Sequence, residues 1–317
     1  MAQPADTFDK YDLIGVREDL SDVISNISPT DTPFMSNIGK ASCDNTQFDW
    51  QTDSLAAAAS TAAIEGDDTA AQAVSPTTRY VNYTQIFKKS FTISGTAERV
   101  KKAGRKSEIA YQTAKRGKEI KRDQEKAFTS GNVGVAGNST TARVTAGLDS
   151  WLFTNDSNGT SGTAYTITGG VPVTARTDGT DRAWSEALLK AALLLQYNAG
   201  GEVSMLMVSP AKKQETSAFA GIAEIRSAVA GAQQATIIGA VDVYVSDFGN
   251  LNVVPNRFMP TDLAYLIDPS QAKKRVLRPY FVEELAKTGD SAKFHMIEEA
   301  GLEVTNEAAH AVIRDLL

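Results

Sequence analysis

Two histidines, His295 and His310, and a single cysteine, Cys43, are where nucleophilic or metal chemistry would have to begin in this chain. Metal ligation needs several such donors at close spacing. No His-x-x-x-His or Cys-x-x-Cys occurs, and a lone thiol becomes a nucleophile only beside a base. Both histidines fall in stretches of alternating polarity, which suits paired or surface side chains. Carboxylates come in adjacent pairs, Asp67-Asp68 and Glu298-Glu299. On a strand, neighbours point to opposite faces, so neither pair converges for acid–base work. No Gly-x-Ser-x-Gly elbow is present. Gly131, Gly134 and Gly137 neither match the dinucleotide-binding spacing nor lead to a Walker lysine. The residues nominate no catalytic, cofactor-binding or metal-binding site, and the expectation is a protein that is not an enzyme.

Charge is the other possible carrier of function. The 317 residues have a net charge of −6, which announces no nucleic-acid binder. The distribution is uneven, however. Between residues 99 and 126 eleven lysines and arginines face four acids, a net of +7, so the remainder carries −13. Lys115, Arg116, Lys118, Lys121 and Arg122 are the centre of this basic stretch. It could meet acidic protein surface, the favoured expectation, or the phosphates of DNA without base specificity. One cysteine forms no intramolecular disulfide, and the opening Met-Ala-Gln-Pro-Ala-Asp has neither the basic nor the apolar region of a signal peptide, so folding in the cytosol is expected. No apolar run approaches the ~20 residues of a membrane span.

The elements that would position these residues have unusual proportions. In residues 1–45, Val16, Leu20, Val23, Ile24 and Ile27 write one face of a short helix, which Ser28-Pro29 ends. Such an arm makes no core alone and must lie on something else. Phe48 and Trp50 alternate with polar neighbours, and from 79 to 94 the apolar residues Val81, Tyr83, Phe87, Phe91 and Ile93 alternate with Asn82, Thr84, Lys88, Ser90 and Thr92. This pattern predicts a half-buried strand of roughly 50 Å, far beyond the ordinary length, in a long hairpin with the strand before it. The connection, 53–77, is rich in alanine, with only Leu55, Ile64 and Val74 as large apolar residues. A loop this long is usually functional, and a neighbouring molecule is the better candidate to order it.

Residues 107–128 predict one long helix capped by Ser107, with a thin stripe of Ile109, Thr113, Gly117, Ile120, Gln124 and Ala127 against a sheet. Residues 131–182 read as loops and short strands. A compact α/β unit follows from about 181. It has a helix over 183–197 with Trp184, Leu188, Ala191 and Leu195 on one face, a strand over 203–208, a helix begun by Ser209-Pro210, a strand carrying Ile237, Val241, Val243 and Val245, and another over 263–267. Residues 293–316 return to strand, broken at Gly301. The fold class expected is α+β, with the 181–285 unit inserted into a first domain built from both chain ends.

This order resembles the Hong Kong 97-type capsid fold of tailed-phage major capsid proteins. Its parts would be an N-terminal arm (1–45), an extended-loop hairpin (46–95), a peripheral domain (96–180) with a spine helix (107–130), an inserted α/β axial domain (181–285) and return strands (286–317). Tyr11-Asp12-Leu13, Thr32-Pro33-Phe34-Met35 with Ile38-Gly39, and the run from Gln85 to Thr96 resemble the SU-ten-type major capsid family. The resemblance implies hexamers and pentamers of this chain in an icosahedral virion shell, folded and assembled in the host cytoplasm around double-stranded DNA, with a portal and possible decoration proteins as partners. The sequence shows no long charged scaffolding region before the arm, so the expectation is either a separate scaffolding protein, which an initiator-like Met1 favours, or a scaffolding region that was removed. No Lys/Asn cross-linking motif is identifiable. The expected contacts with neighbouring subunits are Phe48, Trp50, Val81, Tyr83, Phe87, Phe91 and Ile93 on the hairpin and the five basic residues of the helix. Alternatives are an encapsulin-like shell, another virion component, or an α+β enzyme with a pocket of converging titratable groups.

Overall fold

A computed structural model describes residues 31–60, 62, 64–66, 73–219, 242–287 and 289–317. The amphipathic stretch 16–27, together with Ile237 and Val241, lies outside the described residues. The chain begins with helix α1 (Pro33–Asn37) and strands β1 (Gly39–Ser42), β2 (Gln47–Thr52), β3 (Thr78–Tyr83) and β4 (Gln85–Ser94). Helices α2 (Gly95–Arg99), α3 (Glu108–Phe128) and α4 (Leu148–Trp151) follow, then the short strands β5 (Asp156–Ser157), β6 (Thr166–Thr168) and β7 (Val171–Thr174). Next come α5 (Glu186–Asn198), β8 (Met205–Val208), α6 (Pro210–Thr216), β9 (Val243–Ser246), β10 (Gly249–Pro255) and β11 (Ala264–Ile267). The chain closes with β12 (Ala272–Leu285), β13 (Ser291–Val304) and β14 (Ala311–Ile313).

A four-stranded sheet has the order β1-β12-β13-β4, and a six-stranded sheet has the order β5-β14-β11-β8-β10-β9. The overlong strands are β12 and β13, fourteen residues each and antiparallel, so about 46 Å long. The stretch 79–94 is divided instead. Residues 78–83 pair with β2, whereas 85–94 pair with β13, in a different sheet. The alternation along β4 holds, with Phe87 and Ile93 buried. It fails at the crossing, where Asn82 and Thr84, expected on the wet face, are fully buried. Their polar groups are used to carry the chain between sheets. Asn82 donates to the carbonyls of Leu302 (2.6 Å) and Ala146 (3.2 Å) and accepts from Ala146 N (2.9 Å). The Thr84 hydroxyl donates to Glu299 (2.9 Å).

The division of the chain between sheets also differs from the expectation. β12, placed by the sequence with the inserted unit, is central to the first sheet, and β14, placed with the return strands, lies in the second. Gly301 does not break β13; it pairs opposite Arg275 within a regular stretch of the ladder, and the register shifts fall farther along β12, between Val276 and Arg278 and between Arg278 and Phe281. A methyl group there would come within 2.6 Å of the Phe48 ring, so glycine serves a close approach. On α5 the buried face is Leu189, Ala192, Leu193 and Gln196, about one residue on from the expected face. Leu194 and Leu195 are exposed, because seven apolar residues among the eight from 188 to 195 leave the face undecided by pattern. On β9 it is Tyr244 that points inward, with Val243 and Val245 outward.

Two apolar clusters result. β8 and β11 are buried on every residue. Met205, Met207, Tyr265 and Ile267 join one cluster with α3, α4 and the first sheet. Leu206, Val208, Ala264 and Leu266 join another with α5. The central strands thus separate two cores, which explains their continuous apolar sequence.

Candidate assembly surface

α3 is the element on which the surface is organised. It starts as expected at Ser107, whose hydroxyl accepts from Ala110 N (3.2 Å), and Glu98 accepts from Glu108 N (2.9 Å). These contacts supply partners for the first amides of the helix. The Ser107 hydroxyl and the amides of Glu108 and Ile109 hold the Glu98 carboxyl below its usual range. The buried end is the C-terminal one: Ile120, Gln124, Glu125, Ala127 and Phe128. Phe128 meets Phe87 edge-on, with ring centroids 6.0 Å apart, and Lys89 pairs with Asp123 (2.7 Å), so β4 is bound to the helix by one apolar and one charged contact from the same face of its pleat.

Glu125 was not singled out by the sequence, yet it holds the start of the described chain. Its carboxylate accepts from Phe34 N (2.8 Å), Met35 N (2.9 Å) and the Asn256 amide (2.7 Å). Burial pushes its pKa up, while the three donors pull it down. Glu298 and Glu299 point to opposite faces of β13, as adjacency on a strand requires, and each is paired. Glu298 meets Lys274 and Gln124; Glu299 meets Thr84, Arg143 and Arg278. A second buried group surrounds Arg314, which donates to Asp149 Oδ1 (2.8 Å) and to the carbonyls of Asp149 (2.8 Å) and Leu152 (2.6 Å). Arg176 pairs with Asp315 (2.7 Å) and Asp262 (2.9 Å) beside it. These charges join segments far apart in sequence and are saturated by each other, an arrangement for holding shape.

His295 Nε2 lies 3.1 Å from Glu283. His310 is wholly buried, its Nδ1 accepting from Asp268 N (3.1 Å), and burial lowers its pKa to about 4. Cys43 is partly buried, and burial raises its pKa away from the thiolate.

The residues expected to meet neighbours separate into two sets. Phe48, Trp50, Val81, Phe87 and Ile93 are buried within the chain itself, and Tyr83 and Phe91 partly so. Phe48 stacks on Trp50, and Trp50 lies 5.0 Å from Trp151. The apolar face of the hairpin root is therefore spent on the chain's own core. What the hairpin leaves outside is its connection, where Leu55 is 99% exposed, Val74 94% and Ile64 82%. On α3, Arg116 pairs with Glu119 (2.7 Å) and Arg122 lies 5.3 Å from the Phe258 ring centre. Lys115, Lys118 and Lys121 are exposed and form no ion pair among the described residues. Leu194, Leu195, Tyr197, Val243, Val245 and Phe248 are also exposed, and Tyr197 stacks on Phe248 at 4.6 Å.

A model of the SU10 major capsid protein family matches residues 3–317. The major capsid protein of Escherichia phage Phieco32 is 32% identical over 350 residues, covering 99% of this chain and 97% of the relative. The chain belongs to the SU10 major capsid protein family. Solved structures show the same fold at lower identity. The capsid asymmetric unit of Cyanophage A-1(L) aligns with a TM-score of 0.62 at 13% identity over 97% of this chain and 98% of that one. The SrpI encapsulin of Synechococcus elongatus aligns with a TM-score of 0.56 at 11% identity over 95% and 92%. The α+β Hong Kong 97-type fold is thus that of this capsid protein, and its role is structural. Among the described residues no helix is long and apolar enough to cross a membrane. The buried ion groups are the part of this capsid subunit that sequence reading missed. Asp149, Arg176, Arg314 and Asp315 carry no spacing pattern, and only the unusual density of charges in the apolar closing segment hints at them.

Proposed function

We propose that this capsid subunit forms hexamers and pentamers that close into an icosahedral shell around packaged double-stranded DNA. The observation that carries the reading is the hairpin connection, with three large apolar side chains almost wholly exposed beyond a root whose Phe48, Trp50 and Val81 the chain itself buries. An isolated subunit gains nothing from ordering such a loop, whereas a neighbour covering it gains apolar burial at about 25 cal/mol per Å². In this reading 1–45 is the arm, 46–83 the extended loop, α3 the spine, and the α5–β11 region with β5 and β14 the axial unit. The lysines of α3 are read as meeting acidic protein surface in preference to DNA, since most of the chain is acidic. A separate scaffolding protein, a portal and decoration proteins are the further partners, and the host cytoplasm is the place of assembly.

Deleting residues 55–75 is expected to leave a folded, soluble subunit that forms no closed shells by negative-stain microscopy. Normal shells from the deletion protein would refute the reading. The encapsulin-like alternative shares the fold; it is distinguished by shells that enclose an enzyme cargo instead of DNA.

A further inference from the structure

The chain passes between its two sheets twice at adjoining places. It leaves β11 and reaches β12 through a single helical turn, Pro269–Gln271, and it returns from β13 to β14 through a second, Glu307–Ala309. Two hydrogen bonds tie the crossings to each other. Thr305 N donates to the Gln271 carbonyl (2.8 Å), and Asp268 N donates to Nδ1 of His310 (3.1 Å). The second bond fixes the state of the ring. A backbone amide only donates, so Nδ1 is bare and the single proton of the neutral imidazole is on Nε2. Nε2 is buried and has no hydrogen-bond partner among the described residues. Nearby carbonyls are engaged by other donors: Asn155 Nδ2 donates to those of Ala308 (2.7 Å) and His310 itself (3.1 Å), and Gln196 Nε2 to that of Ala309 (3.3 Å). The Asp268 carboxylate and the Gln271 carbonyl favour a second ring proton, but burial outweighs both, and Asp268 Oδ1 accepts from Ser270 N (3.0 Å). Of the other charged groups here, Glu307 is turned to Thr154 and Asp156 is paired with Arg314 (3.1 Å), while α5 contributes the neutral Gln196.

We propose that His310 is an acid-sensitive clasp, whose protonation unfastens the two crossings before either sheet unfolds. A second proton has to enter on Nδ1, where it would point at the Asp268 N–H. Two donors cannot face each other at 3.1 Å, so the ring must leave its seat to take the proton up. An imidazolium that stayed would be a buried charge with neither N–H bonded, which is costlier still. Release need not disturb the sheets. The ladders of β11 with β8 and of β12 with β13 are made by other residues. The neutral ring is therefore the closed state and the protonated ring the open one, the local two-state element that a histidine switch requires. Its window follows from the ring's pKa of about 4 in place, against about 6.5 once released. Linkage then raises the open population about twentyfold between pH 7 and pH 5.

Hydrogen exchange of the full chain, read amide by amide at pH 7 and pH 5 and corrected for the intrinsic effect of pH, is the test. The amides of Asp268 and Thr305 are expected to lose about twentyfold in protection. At pH 5 they should exchange at least about tenfold faster than those of Tyr265 and Leu266, inside the six-stranded sheet, because the opening is local. His310→Gln keeps an acceptor for Asp268 N and takes up no proton in this range, so it should abolish the pH effect at both amides. Equal exchange of clasp and sheet amides at both pH values, or the same acid opening in His310→Gln, would overturn the proposal. Should His310→Gln misfold, ring-nitrogen NMR of the histidine-labelled chain needs no variant, and His295 serves as its internal reference. His310 is expected to show a bare Nδ1 and a protonated Nε2 at pH 7. A proton on Nδ1 at pH 7, or a ring that protonates while the Asp268 amide stays protected, would also overturn it. None of these readouts requires shells, so failure here leaves the deletion test of the hairpin connection to stand or fall alone.

Discussion

Gly301→Ala is a change of one methyl group at the point where the extended hairpin is rooted. The added carbon would lie 2.6 and 2.8 Å from two Phe48 ring carbons and 2.8 Å from the Tyr83 carbonyl oxygen. Carbon atoms in contact prefer about 3.5–4.0 Å, so each neighbour must retreat by roughly 1 Å. The Phe48 ring has no free path, being stacked on Trp50 at 6.1 Å, which abuts Trp151 at 5.0 Å. The Tyr83 carbonyl is backbone, in a strand paired with β2. Overpacking of a filled core costs about 1–3 kcal/mol, and the backbone contact places this case at the upper end, near 3 kcal/mol. That is a large part of the ~5–15 kcal/mol available to a folded domain. Urea denaturation of the unassembled subunit should show the midpoint falling, with shell yield falling alongside because the hairpin root has shifted. Adding Phe48→Leu frees the ring contact but not the carbonyl contact, so the double variant should recover about 1 kcal/mol relative to additivity. If Gly301→Ala changes stability by less than about 0.5 kcal/mol, the close packing of β2 on β13 is not what holds the hairpin, and the reasoning fails.

Arg314→Met should cost about 3–5 kcal/mol by leaving Asp149 and two carbonyls without their buried partner, checked by thermal denaturation. His310 gives a pH signature. Its folded pKa, lowered from 6.5 to about 4, means the unfolded chain takes up the proton first as pH falls. The stability it contributes is full above pH 6.5 and is lost toward pH 4, by about 2 kcal/mol between pH 6.5 and pH 5. Urea midpoints should show that slope in the unsubstituted protein and its disappearance in His310→Gln. Phe87→Asp places an unpaired charge against Phe128 and should abolish folding or shell formation, whereas His295→Ala, losing a contact to an exposed carboxylate, should leave shell yield unchanged.

What the sequence made legible is instructive in physical terms. The α3 helix, its Ser107 cap, the Ser209-Pro210 start of α6 and the hairpin pairing of β2 with residues near 80 are local, and local chemistry dictates them. The sheet switch at Thr84 was hidden because alternation has the same period in both sheets. Only Asn82 and Thr84 change role, and their polar identity suits either a wet face or a buried crossing. The long β12–β13 pair was missed because β12 holds Lys274, Arg275 and Arg278, charges that suggest solvent but are partnered by Glu298, Glu303 and Glu299 on β13. Cross-strand ion pairs turn a strand's core signal into a surface signal when one strand is read alone.

The same comparison bears on where the assembly energy comes from. The aromatic residues that look like interface anchors in the sequence are the ones this subunit uses to root its own hairpin, so they fix the loop's direction. In the proposed reading the contact then falls to residues that look unremarkable: Leu55, Ile64 and Val74 among alanines, and Lys115, Lys118 and Lys121 on α3, which form no ion pair among the described residues. Each is weak alone, as an exposed aliphatic side chain buries about 1.5–3 kcal/mol at most. Weak contacts suffice when a subunit in a closed shell meets several neighbours at once, because each contact after the first forms at high effective concentration. Weakness also lets wrongly placed subunits leave before closure. A subunit built in this way should be stable without neighbours through its saturated ion groups and rooted hairpin. It should gain further stability on assembly, so that melting of shells exceeds melting of subunits and depends on subunit concentration during reassembly.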